Sequence, residues 1–230
     1  MIERQILQVV YSPFKAFEEI VKNPAAKGSL LVLALGVITA AITGYVSSSK
    51  VNVQLESELG PYVPLVTTEV FGGRMLAIVM DSALRLSLIW FIYSGVMLLV
   101  IKVFGGGGGS WRTLFFVIGY TLMATVVYTL VSALLISALP VVNLKWGVWN
   151  PTPEMEEMAY NERLIAYGSW FSSPIYQFAS YLYFVVEGWT GVLAAIAVHA
   201  LLGVTWRKAI GIAVTASVLA FMLRIVLLSL

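Results

Sequence analysis

Of the chain's 230 residues, 60% are hydrophobic and only 11% charged, with a formal net charge of +2, against roughly 45–50% apolar and about 25% charged in a soluble domain. This balance excludes an ordinary soluble fold, and mean hydropathy of +0.90 points to a polytopic helical membrane protein whose spans each need about 20 mainly apolar residues. With no cysteine, one histidine (His199) and a single aspartate (Asp81), an aspartyl dyad, a bis-histidine haem and a zinc site built from several His or Cys ligands are excluded as well, and no metal or cofactor is expected.

The first 27 residues mix charged and apolar positions and do not read as a cleavable signal peptide. Ile6, Val10, Phe14, Phe17 and Val21 recur every three or four residues among Glu3, Arg4, Lys15, Glu18, Glu19 and Lys22, an amphipathic helical pattern. Ser12-Pro13 marks a fresh helix start, with a hydroxyl able to cap and a proline at the first helical position, and Asn23-Pro24 marks a stop. Two short helices lying on the membrane surface are expected, with Phe14 and Phe17 entering the interface and Lys15 and Lys22 facing anionic headgroups.

Residues 28–230 form the membrane domain, an all-α bundle of five transmembrane helices. Expected spans are 29–48, 75–101, 111–139, 175–206 and 209–230, the third being the cleanest because Thr113 to Leu144 carries no charge. Between the third and fourth spans, Thr152-Pro153-Glu154 combines a cap, a first-turn proline and an acid at the positive end of a helix dipole. A short helix over 153–167, surrounded by aromatic residues such as Trp149 and Trp170, is expected there.

Five spans place Arg4, Lys15, Lys22, Lys27, Lys102, Arg112, Arg207 and Lys208 on one side, and Lys50, Arg74, Lys145 and Arg163 on the other. That asymmetry puts the N-terminus in the cytoplasm and the C-terminus outside.

Ionisable groups inside spans are functional candidates. At about 1.5 Å of rise per residue, Asp81, Arg85, Glu187 and Arg224 all fall about 25–31 Å from the cytoplasmic ends of their helices, in the outer third of the bilayer or at its outer interface. Two acids and two bases at one depth form a structural polar cluster, snorkel to the outer headgroups, or line an outer vestibule for an ion, a solute or a headgroup. His199 lies among small residues and reads as a hydrogen-bonded packing residue where helices approach closely. Gly105 to Gly109, followed by Ser110 and Arg112, lack the Gly-Lys-Ser/Thr ending of a phosphate loop and read as a cytoplasmic turn open to a partner or an anionic lipid.

The run Ser12-Pro13-Phe14-Lys15-Ala16-Phe17-Glu18-Glu19-Ile20-Val21-Lys22-Asn23-Pro24 resembles the opening of Yip1-domain proteins. The glycine-rich turn from Phe104 to Arg112 and the Gly119-Tyr120 pair resemble that family's second turn and third span. Five spans with the N-terminus inside are what this resemblance implies, together with a trafficking-type or membrane-organising role. The Asp-Leu-Tyr-Gly-Pro motif of eukaryotic members is absent, since Ser82 follows Asp81, so the resemblance does not extend to Rab GTPase binding, and a bacterial or archaeal cell membrane is the expected location.

Two functions follow as expectations: a non-enzymatic organiser or scaffold acting through its N-terminal helices, or a small transporter, channel or lipid-moving protein acting through Asp81, Arg85, Glu187 and Arg224. Membrane lipids, a protein at the cytoplasmic face and a second copy of the chain are the expected partners, and nucleic acid is not.

Overall fold

A computed structural model describes residues 2–54, 62–68, 70–104, 110–145 and 167–228. Its helices are α1 (Ile2–Tyr11), α2 (Pro13–Lys22), α3 (Ala26–Ser49), α4 (Val70–Val103), α5 (Trp111–Gly119), α6 (Met123–Ser137), α7 (Pro174–Leu202) and α8 (Trp206–Leu228). A 3-10 turn, Tyr120–Leu122, joins α5 to α6. Five helical stretches are long and apolar enough to cross a membrane, the third being Trp111–Ser137 with the 3-10 turn inside it. In hydrocarbon the backbone must satisfy its own hydrogen bonds, which is why such sequences become helices.

The chain divides into two compact units, Met1–Ile38, Asp81–Tyr128 and Phe184–Leu230 in one, Thr39–Met80 and Thr129–Tyr183 in the other. In the first, the buried core draws Ile6, Val9, Phe17 and Ile20 from the N-terminal helices, Trp90 and Met97 from α4, Ile118 and Tyr120 from α5 and its turn, and an alanine-rich run from α7 and α8. Ala194, Ala197, Ala209, Ala213 and Ala216 are essentially inaccessible. Small side chains let helix backbones approach closely, and in lipid that van der Waals contact takes the place of a hydrophobic driving force.

The second unit is not helical throughout as the all-α expectation has it. Alongside helix it holds a three-stranded sheet, β1 (Val51–Gln54), β2 (Val63–Pro64) and β3 (Val142–Lys145), in the order β2-β1-β3. β1 runs antiparallel to β2, with Val53 opposite Val63, and parallel to β3, with Val51 opposite Val142 and Val53 opposite Leu144. Side chains alternate across a strand: Val51, Val53, Val142 and Leu144 turn into a small core with Leu65, Leu139 and Trp170, while Asn52 donates to Asn143 across the other face at 3.0 Å. Residues 167–171 are helical, and Trp170 closes this core by donating its Nε1–H to the carbonyl of Pro140 at 2.7 Å. The helix expected over 153–167 falls, but for Tyr167, outside the described residues.

The turn between α7 and α8 is tight, and Gly203 supplies it with a backbone φ of +62°, a left-handed conformation that suits glycine. Its N–H donates to the carbonyl of His199 at 2.9 Å. Gly203→Ala is expected to lower stability by about 1 kcal/mol because a Cβ strains that conformation. Gly188→Ala, in α7 with open space around it, is expected to leave stability unchanged or raise it by up to about 1 kcal/mol. Thermal unfolding of the two detergent-solubilised variants, read by fluorescence, checks the opposite signs.

Candidate functional site

The residues singled out inside the spans are not held alike. Asp81 and Arg85, one helical turn apart on α4, form an ion pair with Arg85 Nε 2.7 Å from Asp81 Oδ1, and both side chains are more than half exposed. The pair neutralises itself along one helix face. Glu187 is half-buried on α7, and Tyr93 of α4 is buried and engages α8 through its hydroxyl. That hydroxyl is 2.8 Å from Ser217 Oγ on α8. Arg224 lies on α8, and its side chain is outside the described residues. A search confined to charges finds Glu187 but misses Tyr93 and Ser217, hydroxyls 124 positions apart that only the fold brings together.

For the N-terminal helices the structure corrects the expected membrane-facing set. Phe17 is completely buried in the protein core and Ile6 nearly so, whereas Phe14 is 54% and Val10 40% exposed. Leu7 and Tyr11, absent from the expected stripe, are the most open at 60% and 69%. The break at Ser12-Pro13 resets the helical phase, so a stripe counted straight through it does not describe a single face. α1 is apolar on two sides: Ile6 and Val9 pack on the bundle, while Leu7, Val10 and Tyr11 point away from it. Lys15 and Lys22 are exposed on α2. Pro13 does open α2, but the Ser12 hydroxyl makes no capping hydrogen bond.

A chain of rings ties α2 to the α7–α8 turn. Phe14 meets Trp206 edge to face at 5.6 Å, and Trp206 stacks on His199 at 4.1 Å. His199 Nδ1–H donates to the Val204 carbonyl at 2.6 Å, so the single histidine closes the turn and supports a ring. In the glycine-rich turn, Gly105 and Gly109 lie outside the described residues. Ser110 and Arg112 beside it are exposed, with the Arg112 guanidinium over the Phe116 ring at 5.9 Å, within cation–π range.

The Gly119-Tyr120 pair meets Gly28-Ser29 of α3 reciprocally. A Cβ on Gly28 would collide with the Tyr120 hydroxyl, and one on Gly119 would lie 2.5 Å from Ser29 Cβ and 2.8 Å from the Trp90 ring. Trp90 is itself fixed, stacked on Phe115 at 4.3 Å and donating its Nε1–H to the Phe115 carbonyl at 2.7 Å. Tyr120 and Ser29 are wholly buried, and among the described residues neither hydroxyl has a hydrogen-bond partner.

The first unit also contains an apolar groove of about 260 Å³ walled by α1, α6 and α7, with Val9, Val10, Val127, Val185, Trp189 and Val192 among its lining. Among the described residues, no group of three or more His, Cys, Asp or Glu is placed to hold a metal ion.

A family model, the Yip1 domain, matches residues 7–228, nearly the entire chain. No curated protein and no solved structure matches it.

The reciprocal glycine contact carries a test. Gly28→Ala and Gly119→Ala are each expected to destabilise the protein by about 1–3 kcal/mol through overpacking, whereas Gly72→Ala, with nothing within 4 Å of its Cβ position, should not. Melting temperatures of the three variants in one detergent make the comparison, and equal shifts in all three would refute the close approach.

Proposed function

The chain belongs to the Yip1 domain family, a multi-pass integral membrane protein, and from that premise we propose that it is a non-enzymatic organiser of the bilayer, a scaffold of trafficking type. It works through α1 and α2, which meet lipid and a protein partner at the cytoplasmic face. The reading rests above all on the outward apolar side chains Leu7, Val10, Tyr11 and Phe14 next to exposed Arg4, Lys15 and Lys22. Side chains of this kind on one short segment suit a membrane interface, and lysines beside them suit anionic headgroups. Because the same helices are anchored in the bundle through Ile6, Phe17 and Ile20, a force exerted by lipid on their outer side is transmitted to the spans.

The orientation is part of the proposal, with the N-terminal helices cytoplasmic and the C-terminus outside, as the lysine and arginine asymmetry favours. Since the chain has no cysteine, single cysteines can be labelled without background. Ser110→Cys is expected to react with an impermeant maleimide only from the cytoplasmic side, and Ser173→Cys only from outside. The reverse pattern overturns the orientation.

For the function, full-length protein in vesicles of phosphatidylcholine and phosphatidylglycerol is expected to change vesicle size and curvature, measured by electron cryomicroscopy. Leu7→Ser with Phe14→Ser is expected to abolish that effect with the spans inserted normally. Undiminished remodelling by the double variant, or none by the unaltered protein, would reject the reading.

A further inference from the structure

The groove between α1, α6 and α7 has a place in the membrane that identifies its occupant. Its α6 wall comes from Met123, Ala124 and Val127 and its α7 wall from residues between Val185 and Leu193. These are central turns of the spans Trp111–Ser137 and Pro174–Leu202, while Val9 and Val10 come from the N-terminal helix, so the groove runs from that interfacial helix toward the middle of the spans and reaches the depth of the acyl chains. Every lining side chain is apolar. Its mouth is open to the side, since Val10, Val127, Val185, Trp189 and Val192 are all between 36% and 65% exposed. What surrounds an exposed valine at that depth is hydrocarbon.

We propose that this groove is a binding site for one acyl chain of a membrane phospholipid. An apolar cavity of about 150 Å³ already stays dry and accepts a benzene-sized guest. At about 260 Å³ this one holds a longer hydrocarbon segment and gives water nothing to bond to. A saturated chain entering from the bilayer loses no hydrogen bonds and gains van der Waals contact with three walls at once.

The position of α1 gives the site a consequence. Val9 and Val10 form one wall, so a chain lying in the groove touches the N-terminal helix and the two spans at once. Occupancy and docking of α1 therefore favour each other by the same factor, as linked equilibria must. The groove is thereby a lipid-dependent clamp on α1, and it exists whether or not the exposed side of that helix remodels membranes.

The test uses the full chain reconstituted in phosphatidylcholine and phosphatidylglycerol vesicles with a minor fraction of phospholipid carrying a diazirine midway along one acyl chain. After irradiation and digestion, adducts are expected to concentrate on residues 123–127 and 185–193, well above those on the lipid-facing Leu84 and Phe91. Val127→Phe, which narrows the mouth, is expected to lower groove labelling roughly tenfold, equivalent to about 1.4 kcal/mol, while labelling at Leu84 and Phe91 stays constant. Val192→Trp, at another exposed rim position, serves the same purpose if Val127→Phe does not yield a monodisperse protein with an unchanged melt. Uniform labelling of all lipid-facing positions, or groove labelling indifferent to both substitutions, overturns the proposal. So does labelling by a diazirine fatty acid but not by the phospholipid. A disulfide-linked dimer of a Val192→Cys variant with the groove inaccessible to lipid would assign it to a second copy and overturn the proposal equally.

Discussion

Within the first unit the packing depends on a close approach between the first and third spans. Gly28 makes room for the Tyr120 ring, and Gly119 makes room for Ser29 and Trp90. In water such a contact would be one contribution beside a large hydrophobic term. In lipid, apolar surface gains little by leaving one hydrocarbon environment for another, so steric fit carries a larger share. The same place holds the 3-10 turn Tyr120–Leu122, against which α1 packs, while α2 packs on α5. A methyl group on either glycine would therefore disturb the spans and the surface that holds the N-terminal helices together.

Those helices serve two environments. α1 gives Ile6 and Val9 to the protein core and leaves Leu7, Val10 and Tyr11 outside it. An amphipathic surface helix in a soluble protein has one apolar stripe facing the core and a polar remainder. Here the remainder is only partly polar, and it is the outward apolar side chains that distinguish a helix placed between protein and lipid. Phe14 marks the junction: exposed at 54%, it nevertheless rests an edge on Trp206, itself stacked on His199. The ring chain fixes the beginning of α2 to the turn between the last two spans.

Composition and hydropathy made the helical bundle and its five spans legible, because a long uncharged run such as Thr113 to Ser137 satisfies its backbone hydrogen bonds in hydrocarbon by coiling into a helix. Periodicity also made α1 and α2 legible as helices. It did not tell which apolar residues face protein and which face lipid, since both environments select the same side-chain chemistry; Phe17 and Phe14 are indistinguishable until the fold buries one of them. The small sheet was illegible for another reason. Its strands are two to four residues long, too short for alternation to rise above chance, and the parallel pairing of Val51 with Val142 joins segments far apart in sequence. Charge alone drew attention to Asp81, Arg85 and Glu187, and missed the Tyr93–Ser217 contact that only tertiary structure creates.

How the spans treat their hydroxyls bears on what the bundle can accommodate. Thr190 returns a hydrogen bond to the carbonyl of Val186, four residues earlier, and Ser47 and Ser137 bond to carbonyls three residues earlier. These groups satisfy themselves locally. Others fasten helix to helix, as Thr129 does by donating to the Thr39 hydroxyl at 2.6 Å. The groove at the centre of the third and fourth spans has the opposite character, with valines, Trp189 and other apolar side chains around it. A polar solute entering there would give up hydration with no replacement bonds, a cost of several kcal/mol for each unpaired group, whereas a hydrocarbon chain gives up nothing. The chemistry of the cavity and the medium at its mouth thus select the same guest.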